Sequence, residues 1–350
     1  MEVNEQLITW YLTEKRDLPW RNTKDPYKIW LSEIILQQTR VEQGLEYYLR
    51  FVNTFPTIGL LAKADEEQVL KLWQGLGYYS RARNLHTAAK YVDSELGGIF
   101  PAEYDTIINL KGVGPYTAAA IASFAFKEAK AVVDGNVFRV LSRLFDIKTP
   151  INSTEGRKEF QNLADGILNQ SKPDIHNQAI MELGALICKP TNPKCDQCPV
   201  QSKCLGFAKK TVKERPIKLK KTKVSIRKID YVVVEGEDHL LMRKRSENDI
   251  WQGLYDFISL ENREDVNSSD VVNHVQTTIP EIGVKSIEAA PFRSYKHLLS
   301  HRKIEARFWR LKVSGTLEPS EIYKVIPKAK IGEVAVPRLI HKFLEDSELL

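Results

Sequence analysis

The sequence predicts a multidomain protein in which an all-α part is followed by a small α/β domain. The chain has 350 residues, enough for two domains that each bury a core. Up to residue 208 the apolar residues recur every three or four positions, whereas β-branched runs are found after residue 228. A strongly basic segment separates the two parts.

Amphipathic patterns predict the helices of the first part. They cover residues 27–52, 65–76, 82–96 and 156–170. A further stretch, DTIINLKGVGPYTAAAIASFAF (105–126), predicts a short helix, a tight turn and an alanine-rich helix. Each helix would bury one apolar stripe against a shared core.

The turn in residues 105–126 has the residues of a phosphate-binding hairpin. Gly112 and Gly114 permit tight turning and close approach of another backbone, and Pro115 is preorganised for the first position of a helix. The amides of such a turn, with the helix dipole, can bind a DNA phosphate without reading sequence. An ordinary turn is the alternative, but L-x-G-V-G-x-x-T-A is a specific form of the helix-hairpin-helix element.

Two carboxylates stand out near this hairpin. Asp134 follows an apolar run and precedes a new helix in VVDGNVFRVLSRLF, where an N-cap is the usual role. Beside a DNA sugar it could instead stabilise an oxocarbenium-like transition state. Glu33 lies in the apolar segment WLSEIILQQT, where burial would raise its pKa toward that of a general acid. A solvent-facing position or an ion pair is the alternative for Glu33.

All four cysteines lie within 17 residues, spaced Cys188-x6-Cys195-x2-Cys198-x5-Cys204. Four thiolates can complete a tetrahedral zinc site or hold a [4Fe–4S] cluster. Zinc sites usually pair their ligands in two short knuckles, so one short pair between longer gaps favours the cluster without excluding zinc. Cytoplasmic thiols stay reduced, which argues against disulfides.

The basic segment 209–228 carries ten Lys or Arg and one Glu, so its charge is +9 within a chain of net charge +6. It would be a solvated linker that can also lie along phosphates. No stretch of the sequence approaches the ~18 apolar residues of a membrane span. We therefore expect a cytoplasmic protein that does not bind membranes, associated with the nucleoid if the source is bacterial.

Beyond the linker the pattern changes to strands. KIDYVVVEGEDHLLMRKR (228–245) predicts two short strands around a turn, and IEARFWRLKV (304–313) predicts another. Helical patterns recur at 270–279 and 337–346. This mixture is typical of a small α/β domain.

The hairpin, the VDGN segment and the cysteine loop together resemble the endonuclease III superfamily of base-excision DNA glycosylases. RDLPWR (16–21), DPYKIWLSEIILQQTRV (25–41) and LWQGLGYYSRARNL (72–85) resemble its MutY type, the adenine DNA glycosylases. The resemblance implies a [4Fe–4S] cluster and removal of adenine opposite 8-oxoguanine or guanine in double-stranded DNA. It divides the chain into a helical glycosylase domain (1–208), the linker (209–227) and a Nudix-like domain (228–350).

The resemblance also implies roles for the two carboxylates. Glu33 would protonate the adenine, and Asp134 would stabilise the sugar cation. Bifunctional members carry a lysine two residues after the GVG turn, where Tyr116 stands in this chain. A phenol cannot form a Schiff base, so we expect base removal without an efficient lyase step.

Further matched positions would contact DNA. Gln38 and Tyr78 match residues that wedge into the duplex, where a flipped base leaves a gap. Positions in or near the adenine pocket and the lesion contacts are matched by Arg21, Gln37, Thr39, Tyr116 and Asn136. Ordinary packing or a polar helix end is the alternative for each.

IWQGLYDFISLE (250–261) resembles the W-x-G-L-x-x-F segment of Nudix-type domains, but the acidic magnesium-binding helix of Nudix hydrolases is missing. In MutY-type proteins this domain recognises 8-oxoguanine through a Phe-Ser-His loop. The matching residues here are Leu299, Ser300 and His301, so a leucine replaces the aromatic side chain.

We therefore expect a monomeric, monofunctional adenine glycosylase. One alternative is an endonuclease III-like pyrimidine glycosylase and lyase, which Tyr116 and the extra domain disfavour. The other is a non-catalytic iron–sulfur DNA-binding protein, which Glu33 and Asp134 disfavour.

Overall fold

A computed structural model describes residues 3–219, 225–246, 249–280, 282–288, 290–299, 302–314, 318–320 and 322–350. The chain forms two compact units, Met1–Lys63 with Asn84–Lys220 and Ala64–Arg83 with Lys221–Leu350. Residues 64–83 therefore cluster with the C-terminal part of the chain. The domain limits at 208, 227 and 228 stay a prediction.

Residues 3–219 contain helices and no strands. The α-helices are α1 (Val3–Glu14), α2 (Pro26–Ile35), α3 (Val41–Thr54), α4 (Ile58–Lys63), α5 (Glu66–Trp73), α6 (Ser80–Glu95), α7 (Tyr104–Ile107), α8 (Pro115–Phe126), α9 (Gly135–Leu144), α10 (Thr154–Ile167), α11 (Pro173–Leu186) and α12 (Leu205–Ala208). The predicted all-α character of this part is confirmed.

The helices of the first unit pack around a shared interior. α2 packs against α8, and α11 packs against α1, α9 and α8. Leu141, Phe160 and Leu183, from α9, α10 and α11, are almost fully buried in one core cluster. Apolar burial of this kind stabilises short helices that would be marginal alone.

The prediction of one helical stretch over 27–52 is wrong in one respect. The helix ends at Ile35 and a new one starts at Val41, with a turn in between. Gln38 in this turn has a φ of 57°, a left-handed conformation that an α-helix cannot contain. A Cβ on Gly44 would come within 2.6 Å of Leu36 Cδ2, so α3 passes unusually close to the end of α2.

The predicted hairpin consists of α7, a turn and α8. Gly112 has a φ of 79°, a left-handed conformation that favours glycine. A Cβ there would also lie 2.6 Å from Asn84 Cβ, so this position requires glycine for a conformational and for a steric reason. Gly114 is the N-cap of α8 with a φ of −102°, so the turn does not need its left-handed freedom. A Cβ on Gly114 would meet no atom within 4 Å, which leaves the start of α8 open to approach.

The second unit contains one eight-stranded mixed sheet. Its strands are β1 (Ser225–Glu235), β2 (His239–Lys244), β3 (Tyr255–Asp256), β4 (Ile258–Glu261), β5 (Gly283–Ile287), β6 (Arg293–Leu298), β7 (Arg302–Ser314) and β8 (Tyr323–Pro327). Five strands lie side by side in the order β3-β2-β1-β7-β5. Of the others, β4 pairs with β1, β6 pairs with β7, and β8 pairs with β2. β1 and β7 run parallel, in register from Ser225 opposite Arg302 to Glu235 opposite Lys312.

Two helices cover this sheet, as the sequence predicts. α13 (Ser268–Thr278) contributes Val271 and Val275 to a core with Trp309. α14 (Arg338–Asp346) places Phe343 in a stack with Phe308, with ring centroids 4.1 Å apart. The predicted α/β character of the second part is confirmed. None of the helices in the described ranges is long and apolar enough to cross a membrane.

The first half of the basic segment belongs to the first unit. Arg215 is 4% exposed and forms an ion pair of 2.9 Å with Asp146. The backbone N–H of Ile151 donates to the carbonyl of Ile217. Residues 209–219 therefore pack against the first unit and are not simply a solvated linker.

Candidate active site

A cavity of about 230 Å³ in the first unit brings together residues that are far apart in the sequence. Glu33 comes from α2, Tyr116 from the first turn of α8, and Asp134 and Asn136 from the start of α9. The volume lies below the roughly 300–1,000 Å³ of pockets for drug-sized ligands, so the cavity suits a ligand as small as one nucleobase. The two carboxylates singled out in the sequence thus line one site.

Glu33 has the surroundings of a proton donor. It is 6% exposed, and the hydroxyl of Tyr116 donates to its Oε2 at 2.5 Å. Burial raises the pKa of Glu33 to about 7, against the opposing hydrogen bond from Tyr116, and the negative charge of Asp134 adds to the increase. Near neutral pH a large fraction of Glu33 therefore carries a proton.

Asp134 has different surroundings. It is the N-cap of α9, where its Oδ1 accepts from the Val137 N–H at 2.7 Å and its Oδ2 from Asn136 Nδ2 at 2.7 Å. Burial raises the pKa of Asp134, while these hydrogen bonds favour its charged form. The N-cap and the cavity-lining interpretations hold together, because capping the helix aims the carboxylate at the site.

Arg139, which the sequence analysis did not select, joins this site to the cysteine loop. Its guanidinium donates to Asn136 Oδ1 at 2.8 Å, to the Gly184 carbonyl at 2.8 Å and to the Cys188 carbonyl at 2.7 Å. Asn136 in turn donates to Asp134. The available signal was the pair of arginines in the mostly apolar stretch FRVLSRLF, because a buried guanidinium must find acceptors.

Arg21 lines the cavity but is held by a second residue that the sequence analysis missed. Arg21 and Arg16 each donate bidentate hydrogen bonds to the carboxylate of Glu182, which is 1% exposed. Although burial opposes it, the hydrogen bonds from both arginines lower the pKa of Glu182 to about 2. The geometry makes Arg21 part of the cavity wall.

The turn between α2 and α3 reaches the same region. Gln37 and Gln38 line a smaller cavity of about 200 Å³ whose wall also includes Glu33 and Asp134. Gln37 Nε2 donates to Thr117 Oγ1 at 3.2 Å, and Thr39 lines the main cavity. The left-handed backbone of Gln38 is the kind of local strain that recurs at functional sites.

Several expected contact residues lie elsewhere. Gly112 and Gly114 form the hairpin turn and are not among the cavity-lining residues. Tyr78 belongs to the second unit, is 42% exposed and has a φ of 49°. Leu299 directly follows β6, and its N–H donates to the Arg302 carbonyl. Ser300 and His301 lie outside the described residues.

The four cysteines line one small cavity of about 30 Å³. Arg143, 3% exposed, lies against it and donates to Cys188 Sγ at 3.4 Å and to the Lys189 carbonyl at 2.7 Å. Among the described residues, no three His, Cys, Asp or Glu side chains have the arrangement that one metal ion needs. Four thiols around a shared space are the donor set of a metal centre with four cysteine ligands.

Comparison with known families supports both halves of the chain. The model of the HhH-GPD superfamily of base excision DNA repair proteins matches residues 31–165, and a NUDIX domain model matches residues 231–346. Among solved structures, a thermostable thymine-DNA glycosylase is 31% identical with a TM-score of 0.55, covering 59% of this chain and 95% of that one. A trapped endonuclease III–DNA covalent intermediate, 20% identical with a TM-score of 0.52, shares the fold over 59% of this chain and 94% of that one.

The fold and the site define a helix-hairpin-helix DNA glycosylase that carries a Nudix-type domain. The adenine DNA glycosylase of Buchnera aphidicola (subspecies Baizongia pistaciae) is 36% identical over 85% of this chain and 82% of that protein. The mouse adenine DNA glycosylase is 46% identical over 57% of this chain and 41% of that protein. The chain belongs to the adenine DNA glycosylase family.

Proposed function

We propose that this protein is an adenine DNA glycosylase of base-excision repair, acting on adenine opposite 8-oxoguanine or guanine in duplex DNA. The observation that carries the proposal is the pairing of Glu33 and Asp134 on the walls of one cavity, in two different environments. Pairs of carboxylates with different surroundings divide acid and anion roles in other glycosidic-bond enzymes. Family membership supplies adenine as the base.

In this mechanism an adenine flipped out of the duplex enters the cavity. Glu33 gives its proton to a ring nitrogen, the C1′–N9 bond breaks, and the bonding electron pair leaves with the base. Asp134, as an anion, stabilises the oxocarbenium ion that remains. Water then adds to C1′ and passes its proton to a carboxylate of the cavity, which leaves an abasic site.

Tyr116 orients the acid. Its hydroxyl is bonded to Glu33 Oε2 at 2.5 Å, so it fixes the side chain without offering an amine to the sugar. The lyase step of bifunctional members requires such an amine. The proposed enzyme is therefore monofunctional.

We further propose that the four cysteines hold a [4Fe–4S] cluster. When bound, the cluster would cross-link residues 188–204 into one rigid loop. Arg143 would then donate to a cluster sulfur ligand, and Arg139 would connect the loop backbone to Asn136 and Asp134. The chain would act as a monomer, in the cytoplasm or on the nucleoid.

The second unit would recognise the lesion with the segment of Leu299, Ser300 and His301. Nudix hydrolysis is not supported by α13, whose single acidic residue, Asp270, forms a capping box with Asn267 at the helix's own N-terminus. A magnesium site needs several oxygen ligands, and one carboxylate engaged in capping does not supply them.

The test is release of bases from duplexes that carry adenine opposite 8-oxoguanine, adenine opposite guanine, thymine opposite guanine, or an oxidised pyrimidine. We expect abasic sites only with the adenine duplexes and no protein–DNA adduct after borohydride reduction. Glu33→Gln should lower the single-turnover rate about 10²- to 10⁴-fold, the usual contribution of a general acid, while DNA affinity changes little. Release of thymine or pyrimidines, or an efficient adduct, would contradict the proposal.

A further inference from the structure

The loop that carries Tyr78 lies in the second unit. Residues 64–83 contain α5, a loop at 74–79 and the start of α6. Tyr78 is an exposed aromatic side chain with a φ of 49°. Gly75 and Gly77 beside it also have positive φ angles, of 102° and 74°. Within the segment, Trp73 Nε1 and the Arg81 guanidinium both donate to the Gly77 carbonyl, at 3.1 and 3.2 Å. A loop with this much glycine freedom depends on such contacts to keep one shape.

Two further contacts come from one buried peptide unit of the C-terminal part. The backbone N–H of Val336 donates to Gln74 Oε1 at 3.2 Å, and the carbonyl of Val336 accepts from the Tyr79 hydroxyl at 3.2 Å. Val336 is 1% exposed and Tyr79 is 3% exposed. Both polar groups of Val336 are thus bonded to residues that flank the Tyr78 loop, in a setting where lost hydrogen bonds are costly.

Further contacts extend along α5 and into α6. Lys71 Nζ donates to the Val334 carbonyl at 3.1 Å. The Tyr255 hydroxyl donates to Glu67 Oε1 at 2.9 Å, and Lys244 contacts the same oxygen at 2.7 Å. A guanidinium nitrogen of Arg83 donates to the Gln252 carbonyl at 2.7 Å. The Tyr78 loop is therefore flanked on both sides by anchors to residues 244–336.

We propose that the Nudix-like part of this protein holds the Tyr78 loop in its DNA-binding shape, with Tyr79 and Gln74 as positioning residues. The inference rests on the proposed function and on the expectation from the sequence that Tyr78 wedges into the duplex. Base–aromatic stacking contributes to binding, and a ring that is already held in place loses less conformational entropy on binding. The Nudix-like part would thus position the Tyr78 loop in addition to recognising the lesion.

The test uses the full-length protein and a duplex with 2-aminopurine next to 8-oxoguanine. Insertion of Tyr78 should change the stacking of the 2-aminopurine and therefore its fluorescence. Tyr79→Phe keeps the ring and removes the hydroxyl, so we expect a fluorescence change at least twofold smaller and DNA binding about three- to tenfold weaker. Tyr91→Phe, at a tyrosine that is 51% exposed, is the matched control and should behave like the wild type.

A double-mutant cycle separates positioning from general destabilisation. If Tyr79 acts through Tyr78, Tyr79→Phe should change binding less than twofold once Tyr78→Ala is present. Gln74→Met should reproduce the loss, and Gln74→Glu, which keeps an acceptor for Val336, should restore wild-type behaviour. Equal losses in the presence and absence of Tyr78, or no loss, would overturn the inference.

Failure of the proposed function would look different. A wild-type protein that releases no adenine but still shows Tyr78-dependent fluorescence would refute the activity and leave the positioning role supported. The positioning role alone would be refuted if the enzyme is active and neither Tyr79→Phe nor Gln74→Met changes its fluorescence response or its DNA affinity.

Discussion

At the scale of single residues, the site depends on how Glu33 is solvated. Its buried position on α2 raises its pKa to about 7, while the Tyr116 hydroxyl opposes part of that increase. A carboxyl group with a pKa near neutrality can hold a proton and still give it up, which a general acid requires. Asp134, with donors around it, is the better anion.

This difference predicts the pH dependence of adenine release. In the proposed mechanism the protonated form of Glu33 is the active one, so the single-turnover rate should fall as pH rises through about 7. Tyr116→Phe removes a hydrogen bond that favours the carboxylate, so the pKa of Glu33 should rise and the falling limb should move to higher pH. Rate profiles of both proteins test this, and a limb that stays in place or moves to lower pH would contradict it.

The same burial makes Glu33 costly for stability. A carboxyl group whose pKa is raised on folding stabilises the protein fully only below its unfolded value, and this contribution is lost as pH rises through about 7. Glu33→Gln should therefore increase the free energy of unfolding at pH 8 by about 1 to 3 kcal/mol, with little change at pH 4. Urea unfolding at the two pH values measures the difference, and equal effects at both would argue against a desolvated carboxylate.

At the scale of elements, the close contact between α9 and α11 places the carboxylate of Asp134. Gly184 on α11 lies against Asn136, and a Cβ at residue 184 would come within 2.6 Å of Asn136 Cβ. Asn136 donates to Asp134, and Arg139 ties the pair to Gly184 and Cys188. A small change in helix spacing would therefore reach Asp134 directly.

Gly184→Ala should consequently lower the rate of adenine release at least tenfold, because Asn136 must move away from the added methyl group. Gly166→Ala is the matched control, since it lies within α10 and a Cβ there meets no atom within 4 Å. That change should leave the rate unaltered and stabilise the protein by about 0.5–1 kcal/mol, the helix preference of alanine over glycine. Equal rates for both variants would show that the α9–α11 spacing does not set the site.

At the scale of the whole molecule, residues 64–83 depend on a part of the chain that follows them by more than 150 residues. Tyr79, Gln74, Lys71 and Glu67 all bond to residues of the C-terminal part. A fragment of residues 1–219 removes every one of these partners. The local stability of the segment should then fall, since it is drawn from contacts that the fragment lacks.

Limited proteolysis should detect this. In the fragment of residues 1–219 we expect cleavage within residues 64–83 to be at least tenfold faster than in the full-length protein. Cleavage elsewhere in the helical part should stay slow in both, which provides the internal control. Equal protection of residues 64–83 in the fragment would mean that the contacts with residues 244–336 are not needed to hold them.

Some features were readable from the sequence because they depend on local chemistry. Pro115 opens α8, Gly112 takes a left-handed turn, and Asp134 caps α9, each as expected from the residue type. The apolar neighbours of Glu33 indicated its burial. Other features needed distant partners: Glu182 meets Arg21 across 161 positions, and Arg139 meets the Cys188 carbonyl across 49.

The sequence by itself determined the helical and α/β halves, the hairpin, the cysteine loop and the two candidate carboxylates, because periodicity, turn chemistry and ligand spacing act over a few residues. Only the tertiary structure decided that Glu33 and Asp134 line one cavity, that Glu182 holds Arg21, and that the Tyr78 loop is anchored on Val336. Burial and long-range hydrogen bonding join residues far apart in the chain, and no local pattern records which of them meet.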